Sequence, residues 1–165
     1  MHILVVGGGM GGTILANNLA RRLSGELEQG SSKITMLSAT DKHMYQPGLL
    51  YVAVGKMSTT ELYRDQKSLL EPSIDFHVDP VEKFDMDNNS VTTKSGKKIS
   101  YDILCIATGS RGNAAGIPGL AENACQFYTE ADALAMYKKL QKFEGGKVVV
   151  ATGVPHKCPM SPLEI

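Results

Sequence analysis

Residues 2–12 read His2-Ile3-Leu4-Val5-Val6-Gly7-Gly8-Gly9-Met10-Gly11-Gly12, and this stretch decides the fold. The first five are apolar and largely β-branched, the pattern of a buried parallel strand. The glycines that follow fit G-x-G-x-x-G on Gly7, Gly9 and Gly12. Leu15, Leu19 and Leu23 then recur at helical spacing, with Asn17, Asn18, Arg21 and Arg22 on other faces. Gly25 is expected to end that helix, and Ile34-Thr35-Met36-Leu37 to form a second strand. Strand, glycine turn, helix and strand in this order have the length of a dinucleotide-binding βαβ unit. Gly7 permits the tight turn, Gly9 lets backbone approach a pyrophosphate, and Gly12 allows close helix–strand packing. The helix N-terminus supplies free N–H groups and the positive end of its dipole, so Gly7, Gly8, Gly9, Met10, Gly11 and Gly12 are the expected cradle. The second strand of such a unit ordinarily ends in Asp or Glu, which holds the adenosine ribose. Here it ends Ser38-Ala39-Thr40, with Asp41 three positions late, so Ser38 is left to offer a hydroxyl to the ribose. That departure weakens a nicotinamide reading more than a flavin one.

The rest of the composition narrows the class. The chain has 165 residues, 42% of them hydrophobic and 21% charged, enough to bury a core. Seventeen Lys and Arg balance seventeen Asp and Glu, which argues against a general nucleic-acid binder. No apolar run approaches the roughly 18 residues of a membrane-spanning helix, and no signal peptide opens the chain. Three widely spaced cysteines make neither a disulfide framework nor a zinc site.

Farther along, residues 61–70 are polar and helix-compatible, closed by Pro72. Ile74, Phe76 and Val78 alternate with polar residues as a third strand. Residues 81–85, 90–93 and 97–100 read as a β-meander, turned by Asn88-Asn89 and Ser95-Gly96. Residues 101–107 form a buried strand with Cys105 as a small core residue, ending in Ala107-Thr108-Gly109. Thr129 is a good N-cap for a helix reaching about residue 143, and residues 147–151 read as another buried strand. The expected architecture is α/β: a Rossmann-like nucleotide-binding domain over residues 1–112, which the resemblance described below makes an incomplete FAD-binding domain, then residues 113–165 as linker, helix and first βα unit of a second nucleotide-binding-like domain.

The second unit carries no second glycine fingerprint. Its strand is followed by Thr152-Gly153-Val154-Pro155-His156-Lys157-Cys158-Pro159-Met160-Ser161-Pro162, whose prolines remove the N–H donors that a pyrophosphate needs. The electron donor is therefore expected to be something other than NAD(P)H. Cys158 follows His156 and Lys157 and precedes a proline-marked helix start, a setting that favours a thiolate.

Strand, meander and strand closing on Ala107-Thr108-Gly109 resemble the FAD domain of the two-dinucleotide-binding flavoproteins, where this tripeptide packs beside the flavin. Four stretches sharpen the resemblance: residues 7–12; Tyr45-Gln46-Pro47-Gly48 through Val52-Ala53-Val54-Gly55; Ala107-Thr108-Gly109; and Lys157-Cys158-Pro159. Together they resemble the N-terminal part of a sulfide:quinone oxidoreductase, or of the flavoprotein subunit of flavocytochrome c sulfide dehydrogenase.

The resemblance implies a flavin-dependent oxidoreductase with FAD as cofactor. Sulfide or sulfane sulfur would be substrate, quinone or cytochrome the electron acceptor, and the full-length protein peripheral on a membrane. It places Cys158 in the role of the thiol that carries sulfane sulfur, Pro47 near the isoalloxazine, and Val81 where a meander edge meets adenine. It assigns no metal. It also implies that returning strands, a partner redox cysteine and an acceptor region lie outside these residues, so the chain is expected to be a truncated fragment with exposed apolar surface that favours self-association. Two other readings stay open: a type II NADH:quinone oxidoreductase-like enzyme, and an inactive nucleotide-binding fragment.

Overall fold

The computed structural model describes residues 1–151. In chain order the elements are β1 (His2–Val6), α1 (Met10–Arg22), α2 (Ser24–Glu28), β2 (Lys33–Ser38), β3 (Lys42–Met44) and α3 (Gly48–Ala53). They continue with β4 (Tyr63–Asp65), β5 (Ile74–Val78), β6 (Val81–Asp85), β7 (Ser90–Thr93), β8 (Lys98–Ser100), β9 (Ile103–Ile106), α4 (Leu120–Asn123) and α5 (Glu130–Leu140). Two compact units divide the chain: Met1–Met44 with Tyr63–Arg111, and Tyr45–Leu62 with the residues from Gly112 on.

The first unit is built on a parallel sheet of order β5-β2-β1-β9. Because strand side chains alternate, β1 feeds two cores. Ile3 and Val5 pack with Ala16 and Ala20 of α1 and with Ile34, Met36 and Ile74. Leu4 and Val6 face the other way, onto Leu37, Val91 and Tyr101 under the antiparallel meander β6-β7-β8. Each such side chain taken fully from water contributes about 1.5–3 kcal/mol before entropy is counted. The meander turns where its local chemistry directs: Asn89 (φ 44°) and Gly96 (φ 86°) take left-handed conformations. The Asp79 carboxylate accepts from the Ser95 N–H and hydroxyl, which secures the second turn and holds Asp79 below the usual carboxylate range.

Several expectations change. The buried face of α1 is Gly12, Thr13, Ala16 and Ala20, whereas Leu15 is 37% exposed and Leu19 and Leu23 only flank the core. The helix lies so close to the sheet that small residues must face inward. It ends at Arg22, and Gly25 falls inside α2. Residues 61–70 are not one helix, because Tyr63–Asp65 pairs antiparallel with Lys42–Met44. The strand of residues 101–107 shortens to Ile103–Ile106 and is the sheet edge among the described residues, with Ile106 57% exposed.

In the second unit, Leu49, Leu50, Val52, Ala53 and Leu62 are buried. The end of α3 is a Schellman motif. The Gly55 N–H donates to the Val52 carbonyl at 3.0 Å and the Lys56 N–H to the Tyr51 carbonyl at 2.8 Å, with Gly55 left-handed at φ 74°. A Cβ on Gly55 would overlap the Tyr137 ring of α5. Gly55→Ala should therefore cost about 2 kcal/mol or more from left-handed strain and overpacking together, read as a lower urea midpoint. An unshifted midpoint would contradict that packing. Thr129 caps α5 as expected, in a capping box with Asp132. Residues 147–151, expected as a buried strand, form no ladder among the described residues, and Val149 is 78% exposed. A parallel strand exists only through neighbours that pair with it.

Candidate functional site

The order β5-β2-β1-β9 reverses direction at β1, and in open α/β sheets ligands bind outside the carboxyl ends of the strands at such a point. Three of the segments singled out in the sequence meet there. The glycine loop leaves β1, Ser38 ends β2, and Ala107-Thr108-Gly109 leaves β9. Gly7 donates to the Leu37 carbonyl and Ala107 to the Val6 carbonyl, each at 2.8 Å, which ties the three strand ends together.

The glycines divide by what surrounds them. Gly7 sits at φ 116°, and a Cβ on it would overlap the Ala107 carbonyl. A Cβ on Gly12 would overlap the Gly7 carbonyl oxygen. A Cβ on Gly8 would lie 2.7 Å from the Ser38 hydroxyl. These three are explained by packing within the protein. Gly9 and Gly11 are different, because a Cβ on either meets nothing within 4 Å. Both are exposed, as is Met10. The first turn of α1 has no side-chain cap and no acidic residue, so its N–H groups and positive dipole end remain available to an anion. An open strip of backbone at a helix N-terminus fits the pyrophosphate of a dinucleotide such as FAD.

The remaining expected residues are distributed as follows. Ser38 is 5% exposed beneath Gly8, and its hydroxyl accepts the Thr40 N–H at 3.3 Å. Ala39, next to it, is exposed. Val81 opens β6, half-buried against the meander-side core, and the β6–β7 pairing is irregular just after it, between Val81 and Lys83. Ala107 is half-buried, and Thr108 and Gly109 are exposed, with Gly109 at φ 78°. Pro47 belongs to the second unit, where it precedes α3 and is exposed. Cys158 and its neighbours lie outside the described residues. Cys105 packs half-buried against the helix-side core, where burial pushes its thiol up and keeps it protonated.

One group of residues was missed by the sequence reading. Gln66, 0% exposed, donates to the Thr13 hydroxyl at 2.9 Å, and its Oε1 lies 3.1 Å from His43 Nδ1. Thr13 Oγ1 donates to the Gly8 carbonyl at 3.3 Å, and His43 Nδ1 lies 3.1 Å from the same oxygen. The β3–β4 ribbon brings His43 and Gln66 under the loop, and that pairing is non-local. A polar Thr13 directly after the glycines, on a helix face otherwise made of Gly and Ala, is the one hint the sequence offered.

A parallel sheet wrapped by one helix face and a meander, with a glycine cradle at its switch point, defines a Rossmann-like FAD-binding domain. The chain belongs to the pyridine nucleotide-disulphide oxidoreductase family, whose pattern matches residues 1–153. Within it, the chain is 38% identical over 152 residues to the sulfide-quinone reductase of Aquifex aeolicus, across 90% of this chain and 34% of that protein. It is 30% identical to the mitochondrial sulfide:quinone oxidoreductase of Mus musculus, across 99% of this chain and 36% of that protein. The X-ray structure of the sulfide:quinone oxidoreductase from Aquifex aeolicus superposes with a TM-score of 0.70 at 34% identity, over 86% of this chain and 32% of that one. The chain thus spans about a third of the length of the relatives it matches. Proteins of this family and the sulfide:quinone oxidoreductases are FAD-binding flavoproteins.

Proposed function

We propose that this chain forms the FAD-holding part of a sulfide:quinone oxidoreductase, which oxidises sulfide to sulfane sulfur or polysulfide and passes the electrons to quinone. The observation that carries the cofactor part is the open backbone at Gly9 and Gly11 on an uncapped helix N-terminus, beside three glycines that internal packing already accounts for. Similarity to two sulfide:quinone oxidoreductases carries the substrate part.

In this reading the loop of residues 7–12 holds the pyrophosphate through the N–H groups of its exposed part, Gly9, Met10 and Gly11. The Ser38-Ala39 end of β2 and Val81 border the adenosine. Ala107-Thr108-Gly109 borders the flavin, and Gly109, left-handed and without a side chain, lets that strand end approach closely. FAD supplies the two-electron acceptor. Cys158 would carry the sulfur as a persulfide, the two electrons lost when its thiolate sulfur bonds to sulfide passing to FAD, and the neighbouring His156 and Lys157 favour the thiolate form. Quinone takes up the electrons in a part of the enzyme beyond these residues, peripheral on a membrane. Among the described residues no helix is long and apolar enough to cross one.

The test is anaerobic. Flavin bound to the protein is expected to bleach on adding sulfide and to keep its colour with NADH. Bleaching by NADH alone would overturn the sulfide reading in favour of a type II NADH:quinone oxidoreductase-like enzyme. A purified chain that stays colourless with added FAD would overturn the cofactor assignment.

A further inference from the structure

The hydrogen-bond directions under the glycine loop are forced. His43 Nδ1 faces two carbonyl oxygens, Gly8 O and Gln66 Oε1, each at 3.1 Å, with the Thr13 hydroxyl farther off at 3.5 Å. A carbonyl cannot donate, so Nδ1 must carry the proton. Gln66 Oε1 is oriented toward His43 because the other end of its amide donates to Thr13 Oγ1 at 2.9 Å, and Thr13 Oγ1, having accepted that bond, donates its own proton to the Gly8 carbonyl. The Gly8 oxygen is therefore held from below by two donors, one of them backed by a fully buried amide.

Gly8 C=O and Gly9 N–H belong to one planar trans peptide and point in opposite directions. Fixing the carbonyl inward turns the Gly9 N–H outward, into the space where a Cβ on Gly9 would meet nothing within 4 Å. Glycines on both sides leave this peptide free to rotate, so without the inward bonds its orientation would be lost to entropy. We propose that His43 is a positioning residue for the cofactor cradle: its Nδ1–H, with Thr13 and Gln66, clamps the Gly8 carbonyl so that the Gly9 N–H is presented to the FAD pyrophosphate. The inference rests on the FAD reading and deepens it.

Two measurements on the full chain decide it. Nitrogen-15 NMR of the FAD-free chain at about pH 8, above the ordinary imidazole range, should show His43 with Nδ1 protonated and Nε2 bare. The opposite tautomer overturns the inference whatever the variants do. FAD titration should then show His43→Leu binding about tenfold more weakly, which is about 1.4 kcal/mol, the order of one lost hydrogen bond. His43→Asn, whose amide N–H can reach the same carbonyl, should recover affinity to within about threefold. His43→Gln, with its amide one carbon farther out, should not recover it. Equal affinity of wild type, His43→Leu and His43→Gln overturns the clamp and leaves the cofactor assignment standing. A folded wild-type chain that takes up no FAD overturns the cofactor reading, and the clamp with it.

Discussion

Gly12→Val is expected to cost more than about 3 kcal/mol, a large share of the about 5–15 kcal/mol that holds a domain together. The added Cβ would overlap the Gly7 carbonyl oxygen, a backbone atom that cannot rotate away. Relief would require α1 to lift from β1, and the inward face of that helix, Ala16 and Ala20, would lose its contact with Val5 and Ile34. Gly7 offers no compensation, because its own position at φ 116° against Ala107 is equally closed. Gly9→Ala should separate the two demands made on this loop. Its φ of −74° suits any residue and its surroundings are open, so stability should change by about 1 kcal/mol at most, the scale of an N-cap substitution. FAD affinity should nevertheless fall, since the methyl group occupies the space through which the pyrophosphate approaches. Urea unfolding and FAD titration on the same two variants read this out. Loss of stability in Gly9→Ala, or its retention in Gly12→Val, would reverse the division of labour drawn among the glycines.

Cys158→Ser in the complete enzyme that the proposed function describes should slow sulfide-driven flavin bleaching by about a hundredfold or more, because a serine hydroxyl at neutral pH is a far poorer nucleophile than a thiolate. FAD content should be unchanged, since the substitution alters no residue of the glycine cradle. Cys105→Ser is the matched control. That thiol is held protonated by burial and packs against the helix-side core, so its loss should cost about 1 kcal/mol of stability and leave the bleaching rate alone. Equal rates in wild type and Cys158→Ser would remove the sulfur-carrying thiol from the mechanism.

The parts of this fold that were legible in the sequence are those set by local chemistry. A β-branched run, a glycine turn and a helix declare themselves within twenty residues. The meander was readable because Asn89 and Gly96 supply left-handed turns where the strands reverse, and α5 because Thr129 and Asp132 cap it. The misread segments all depend on something distant. Tyr63-Arg64-Asp65 carries no strand pattern of its own and becomes one only because Lys42–Met44 lies beside it. The inward face of α1 is chosen by the closeness that Gly12 permits, which favours Ala16 and Ala20 over the larger leucines. Val148, Val149 and Val150 have the composition of a strand and no partner among the described residues. The same rule governs the site. The glycines were visible because backbone geometry demands them, whereas His43 and Gln66 reach the Gly8 carbonyl only after the β3–β4 ribbon has formed.

That ribbon has one more property. Met44 and Tyr63 are register partners at its end, so the eighteen residues from Tyr45 to Leu62 leave and return through adjacent positions on two paired strands. Topologically the segment is a hairpin insertion, and a tight two-residue turn could close the same ribbon in its place. Changes within that segment are felt by the buried residues of the second unit, while the strands that carry His43 and deliver Gln66 keep their register. Substitutions in the inserted segment and in the nucleotide cradle thus answer to separate structural demands.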